Sequence, residues 1–149
     1  RQKNKHSTLL TDFAVVNNYE SYTTKKRNTL SHFFLDFNLD LNLENYSSSN
    51  LRMFTKKVSK ESYLNVFEQY ITKEKKLRPN DFNNLENRIV LNLKNESHEF
   101  ESGFIAYDNL GQEKKNDRYQ YVLPYYNFSK NISQNYFNGN IGFSSSGSN

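Results

Sequence analysis

The sequence predicts an all-β chain, an antiparallel meander of about seven long strands, and three observations carry that reading. The first is strict alternation. Phe33, Leu35, Phe37, Leu39, Leu41 and Leu43 take the odd positions of residues 33–43, while Phe34, Asp36, Asn38, Asp40, Asn42 and Glu44 take the even ones. Side chains in a strand point to opposite sides at every step, so one side is apolar and the other polar except at Phe34. The second is composition: only 35% of the 149 residues are hydrophobic, yet 12 are Phe and 11 are Tyr. A disordered chain is poor in aromatics, and a soluble core normally holds more aliphatics. The third is spacing, with longer and shorter links alternating along the chain as they do in membrane barrels.

The elements follow in order. Residues Leu9 to Tyr22 form a first strand with weak alternation, and Thr29 to Asn45 a second, the clearest of all. At about 3.3 Å per residue the apolar band from Phe33 to Leu43 runs roughly 36 Å, where soluble strands usually have about 5–6 residues. Tilted about 40°, it rises roughly 28 Å, close to the ~25 Å apolar belt of an outer-membrane barrel. The meander is therefore expected to be part of a transmembrane outer-membrane β-barrel. Leu51 to Val58 is a third strand, again weakly alternating. In the fourth, Leu85 to Asn95, Ile89, Leu91 and Leu93 face one way and Glu86, Arg88, Asn92 and Lys94 the other, with Val90 breaking the polar side. His98 to Tyr107 returns after a tight link, and Arg118 to Ser129 is rich in Tyr. Pro124 cannot donate to a ladder, which predicts an irregularity there. Phe137, Ile141 and Phe143 mark a last strand, within which Asn138-Gly139 is either a turn or mid-strand.

In this reading the lipid-facing residues are Phe33, Leu35, Phe37, Leu39, Leu41, Leu43, Ile89, Leu91 and Leu93. The lumen-facing residues are Asp36, Asn38, Asp40, Asn42, Glu44, Arg88, Asn92 and Lys94. The longest link, residues 59–82, holds a second pattern. Tyr63, Val66, Phe67, Tyr70 and Ile71 recur at helical spacing, Ser59 stands at an N-cap position and Pro79 would end the run, so a short helix competes with extended structure.

Other classes are excluded. The chain has no Cys, hence no disulfide framework and no thiolate zinc site. No window approaches the roughly 18 apolar residues of a transmembrane helix, and no repeat of about 20–50 residues signals a solenoid or propeller. The net charge of +4 permits anionic partners without selecting one. The first residue is Arg rather than Met and no leader precedes the strands, which predicts that residues 1–149 are a single segment of a barrel domain within a longer polypeptide.

No catalytic constellation is evident. His6, His32 and His98 are far apart and form no metal-binding motif. Asp36, Asp40 and Glu44 recur every four residues, about 13 Å apart on a strand, whereas glycosidase carboxyls lie at most about 9.5 Å apart. They read as acids on a wet surface, and the chain as not an enzyme. Tyr-rich strands with basic loops also suit nucleic-acid stacking, but Tyr belongs equally in the aromatic girdle at a lipid–water boundary. Most Lys and Arg, among them Lys25, Lys26, Arg27, Lys73, Lys75, Lys76, Arg78, Lys114 and Lys115, lie at or near the longer loops. Such loop charges are most often simply solvated; on an outer surface, pairing with lipopolysaccharide phosphates is the other reading.

Several runs resemble a known family. Leu39-Asp-Leu-Asn-Leu-Glu-Asn-Tyr and Lys57-Val-Ser-Lys-Glu-Ser-Tyr-Leu-Asn-Val-Phe are similar to the barrel of the lipopolysaccharide-assembly family LptD, the organic-solvent-tolerance proteins. That family has a V-S-D-x-x-Y-[LF] type motif, matched here by Val58 to Leu64 with Lys60 at the usual Asp. Phe104 to Leu110 and Arg118 to Phe128 resemble two further segments, with Pro124 at the family's strand proline, and the likeness runs from about Ser7 to Gly147.

The resemblance implies an internal stretch of a many-stranded outer-membrane barrel that inserts lipopolysaccharide into the outer leaflet. Its implied partners are lipopolysaccharide, a plug lipoprotein of the LptE kind, periplasmic bridge proteins reached through the parent chain, and outer-membrane lipid. No cofactor and no nucleic acid are implied. The family's jellyroll, gate strands and cysteines have no counterpart here. The alternatives are another outer-membrane barrel, a porin or receptor, or a soluble β-sandwich binding glycans or nucleic acid.

Overall fold

The structure is a computed structural model that describes residues 2–3, 6–20, 25, 27–111, 118–133 and 140–149. Its strands are β1 (Gln2–Lys3), β2 (Ser7–Glu20), β3 (Arg27–Asp40), β4 (Ser48–Val58), β5 (Asn84–Lys94), β6 (His98–Asn109), β7 (Tyr119–Ser133) and β8 (Asn140–Ser148). All pair antiparallel in chain order, forming one sheet whose edges are β1 and β8. The antiparallel meander is as predicted, with seven long strands and the two-residue β1. No helix among the described residues is long and apolar enough to cross a membrane, which has no bearing on crossing by strands.

Register sorts the side chains into two faces, because residues directly opposite in a ladder share a side. On the first face Phe13 opposes Phe33, Phe37 opposes Met53, and Leu39 opposes Leu51. The row continues through Met53 with Ile89, Ile89 with Phe104, Phe100 with Phe128, and Ile132 with Ile141. The second face carries Asn38 opposite Arg52, Asn92 opposite Asn50, Lys94 opposite Glu99, and Glu101 opposite Asn127.

Two irregularities bend the ladder. In β2 the register shifts between Val16 and Tyr19, where Asn18 takes a left-handed φ of 59°. Asn tolerates that conformation better than bulkier residues, which suits a bulge. Between β6 and β7 the register shifts between Gly103 and Ile105, opposite the stretch that holds Pro124. A Cβ at Gly103 would collide with the Ile89 carbonyl and press on the Tyr125 ring, so this position admits only hydrogen.

The core sits against the second face, under the β4–β5 connection. Tyr63, Leu64, Ile71 and Leu77 of that connection pack with Leu10, Leu30, Phe34 and Val58 of the sheet. Leu85 and Leu110 complete the cluster.

Several expectations need correction. β3 ends at Asp40, not Asn45, so Leu41, Asn42, Leu43 and Glu44 belong to the turn before β4. Asn42 adopts a left-handed φ of 50°, and its N–H donates to Asp40 Oδ1 at 3.0 Å, a local bond that stops the strand. In the long connection only Tyr63–Val66 is α-helical (α1), followed by a 3-10 turn at Glu68–Tyr70. The cap residue is Ser62, not Ser59, and it makes no side-chain capping bond. Ser59 Oγ instead accepts from the Ser31 N–H. The expected helical stripe is split, with Tyr63 and Ile71 buried and Val66 and Tyr70 exposed. Asn138-Gly139, Phe137, Tyr22, Lys26, Lys114 and Lys115 lie outside the described residues.

Candidate functional site

The candidate functional feature of this chain is the contrast between the two faces. Among the exposed large apolar side chains, those on strands are Phe13, Val15, Phe33, Met53, Ile89, Phe104, Tyr119, Tyr121, Tyr126, Ile141 and Phe143. By register every one of them is on the first face. Phe13 is 64% exposed, Phe104 52% and Phe143 55%. Bare apolar side chains thus occur on all seven long strands on one side, and a large contiguous apolar surface marks contact with lipid or protein.

The second face is built from ions and amides. Arg52 forks onto Asp36 with Nε–Oδ1 3.0 Å and Nη2–Oδ2 2.9 Å. Arg88 pairs with Glu86, and Lys94 with Glu99 across the β5–β6 ladder. The Tyr125 hydroxyl donates to Glu101 at 3.1 Å. Apart from this face, at the end of the β6–β7 hairpin where Asp108 stands opposite Tyr119, Arg118 holds buried Asp108 at 2.6 Å and reaches Glu61 of the long connection at 3.2 Å. The bond to Asp108 raises the Arg118 pKa further, keeping the guanidinium charged.

The connection docks through one polar cluster. His32 Nε2 lies 3.0 Å from Asp12 Oδ2, and His32 Nδ1 lies 2.9 Å from the Tyr63 hydroxyl. A carboxylate only accepts, so His32 Nε2 donates to Asp12 and Nδ1 is left to the Tyr63 hydroxyl. Asp12 Oδ2 also accepts the Thr72 N–H at 3.1 Å. Burial, and then the Asp12 charge nearby, raise the Tyr63 pKa above its ordinary value. In outline this is a hydroxyl–His–Asp relay. Tyr63 and His32 are both buried, however, so no substrate reaches them, and the cluster serves as a clamp between connection and sheet.

The predicted residues divide accordingly. Phe33, Leu35, Phe37, Leu39, Ile89, Leu91 and Leu93 share the first face, while Asp36, Asn38, Asp40, Arg88, Asn92 and Lys94 share the second. Leu41, Leu43, Asn42 and Glu44 fall on neither, because the strand has ended. His6, His32 and His98 stay apart, and among the described residues no three metal-ligating side chains converge.

Sequence reasoning missed Asp12, Lys56, Asp108 and the docking role of Tyr63. The available signal was the pair of breaks in the polar pattern: Phe34 is fully buried and Val90 nearly so. The family-like run Val58 to Leu64 is where β4 hands over to the connection, and its Val58, Tyr63 and Leu64 are all core residues. No family model, curated protein or solved structure matches this chain.

Proposed function

We propose that this chain is a stretch of barrel wall in an outer-membrane protein that transports lipopolysaccharide and inserts it into the outer leaflet. The observation that carries the reading is the single-sided exposure of the strands' large apolar side chains. A hydrocarbon solvent on that side would leave those residues in a matched medium, with the ionic face turned to a wet lumen. Strands of 9 to 15 residues are long enough to cross at a tilt. The cargo rests on the resemblance of Val58–Leu64, Phe104–Leu110 and Arg118–Phe128 to the lipopolysaccharide-assembly family.

Unpaired backbone in lipid is costly, so this reading requires further strands to cover β1 and β8. Partners in this reading are lipopolysaccharide, a plug lipoprotein in the lumen, periplasmic bridge proteins and outer-membrane lipid, and the place is the cell outer membrane. The work is passive, supplying a lipid-compatible wall and a polar interior.

The absence of Cys makes the test direct. Single-cysteine variants at Phe33, Phe104, Asn38 and Asn92 carry an environment-sensitive dye, with the chain reconstituted in vesicles. Blue-shifted emission is expected at the first pair only, and equal emission at all four overturns the wall. A monodisperse, cooperatively folding chain in plain buffer overturns it as well and favours a β-sandwich. Photo-crosslinkers at Asn38 and Asn92 are expected to capture lipopolysaccharide in cells. An intact wall without such adducts leaves a porin or receptor.

A further inference from the structure

Five cations converge where the second face meets the long connection. Arg52, Lys56, Lys75, Lys76 and Arg88 line one cavity of about 250 Å³, together with Glu86. The two arginines already have carboxylates, Arg52 on Asp36 and Arg88 on Glu86. The three lysines form no close ion pair among the described residues, and the acid charge acting on Lys56 is Asp36, which Arg52 already holds.

Lys56 is the telling member. It is only 6% exposed, and its ammonium meets two neutral groups, the Arg78 carbonyl at 3.1 Å and the Phe54 ring at 4.5 Å. An ammonium has three donors, so the carbonyl leaves capacity unused. Burying a cation with only the charge of Asp36 to offset it, an acid that Arg52 already holds, costs free energy that an anion in the cavity would recover. Lys75 and Lys76 stand exposed on the rim and add two flexible charges. Three ammoniums around one small space match a group with several acceptor oxygens and more than one negative charge, which describes a phosphate better than a carboxylate.

We propose that this cavity binds a phosphate group, carried by a soluble phosphate compound or by a lipid headgroup. The proposal stands on the sheet and its connection and does not depend on the barrel reading. The test is calorimetric titration of the folded chain at low ionic strength, in zwitterionic detergent or, where the chain is soluble alone, in buffer. One arm uses pyrophosphate, and the other uses micelles or vesicles carrying phosphatidic acid.

Saturable binding is expected to weaken about tenfold or more in the Lys75→Gln/Lys76→Gln variant. It should change less than about twofold in Lys57→Gln/Lys130→Gln, which removes the same charge outside the cavity. The exposed positions of Lys75 and Lys76 leave the core intact in the first variant. Binding of pyrophosphate identifies a soluble source, and binding of phosphatidic acid alone a headgroup. Equal losses in the two double variants, no saturable binding of either probe, or equal competition by acetate would overturn the proposal.

Discussion

The two ends of the sheet treat the same face differently. Along β2–β4 the second face is roofed by the long connection, and Leu10, Leu30, Phe34 and Val58 are dry beneath it. Along β6–β8 the same face is unroofed, and Glu99, Glu101, Asn127, Ser129, Ser144 and Ser146 line an open groove of about 600 Å³. The first face exposes large apolar side chains from Phe13 to Phe143, with Lys57 opposite Phe33 and Lys130 opposite Phe143 set among them. The second face thus follows its local cover, apolar under the roof and hydrophilic beside it. The first face exposes apolar side chains on every one of the seven long strands, with no such division into covered and open ends.

The comparison is most easily broken at the roof. Phe34→Ala empties a fully buried site, and a loss of about 3–5 kcal/mol is expected in denaturant unfolding. Phe104→Ala, on the bare face, should cost far less in the same assay. Next in size, Gly103→Ala forces a Cβ against the Ile89 carbonyl and the Tyr125 ring, and about 1–3 kcal/mol is expected. Asp12→Ala strands the His32 and Thr72 donors, at about 1–3 kcal/mol, with faster hydrogen exchange at the Thr72 amide as the specific readout.

Alkali acts on the roof through Tyr63. The Tyr63 phenol is raised in the folded state, so its contribution is complete below the ordinary value near 10 and is lost as pH climbs from there through the folded value. Denaturant midpoints should therefore fall above about pH 10, and Tyr63→Phe should flatten that decline. The smallest effect belongs to the unroofed end. The Lys94–Glu99 pair is more than half exposed on both sides, and Lys94→Ala should change stability by about 0–1 kcal/mol.

The strands were legible because alternation needs only local information, and residues 33–39 or 89–93 display it without help from the rest of the chain. The end of β3 was not, because Leu41 and Leu43 keep the hydrophobic rhythm while the backbone obeys the Asp40–Asn42 hydrogen bond. The helix was overread for a related reason. Tyr63, Leu64 and Ile71 must all reach a sheet that the connection crosses, and one α-turn followed by a 3-10 turn achieves this where a continuous amphipathic helix does not. The clamp was out of reach altogether, since Asp12, His32, Tyr63 and Thr72 meet only after β2, β3 and the connection have assembled.

One consequence follows from where the connection is tied. It leaves β4 and returns at β5, yet its buried clamp lies on β2 and β3, with further ties from Lys56 of β4 to the Arg78 carbonyl and from Arg118 to Glu61. It therefore acts as a strap laid across three neighbouring strands, resisting their sliding past one another. The connection does not reach across the β7–β8 seam, where the two strands hold each other through their own ladder. Pulled apart sideways, the sheet should tear first between those two, while β2, β3 and β4 leave together as one stiff panel.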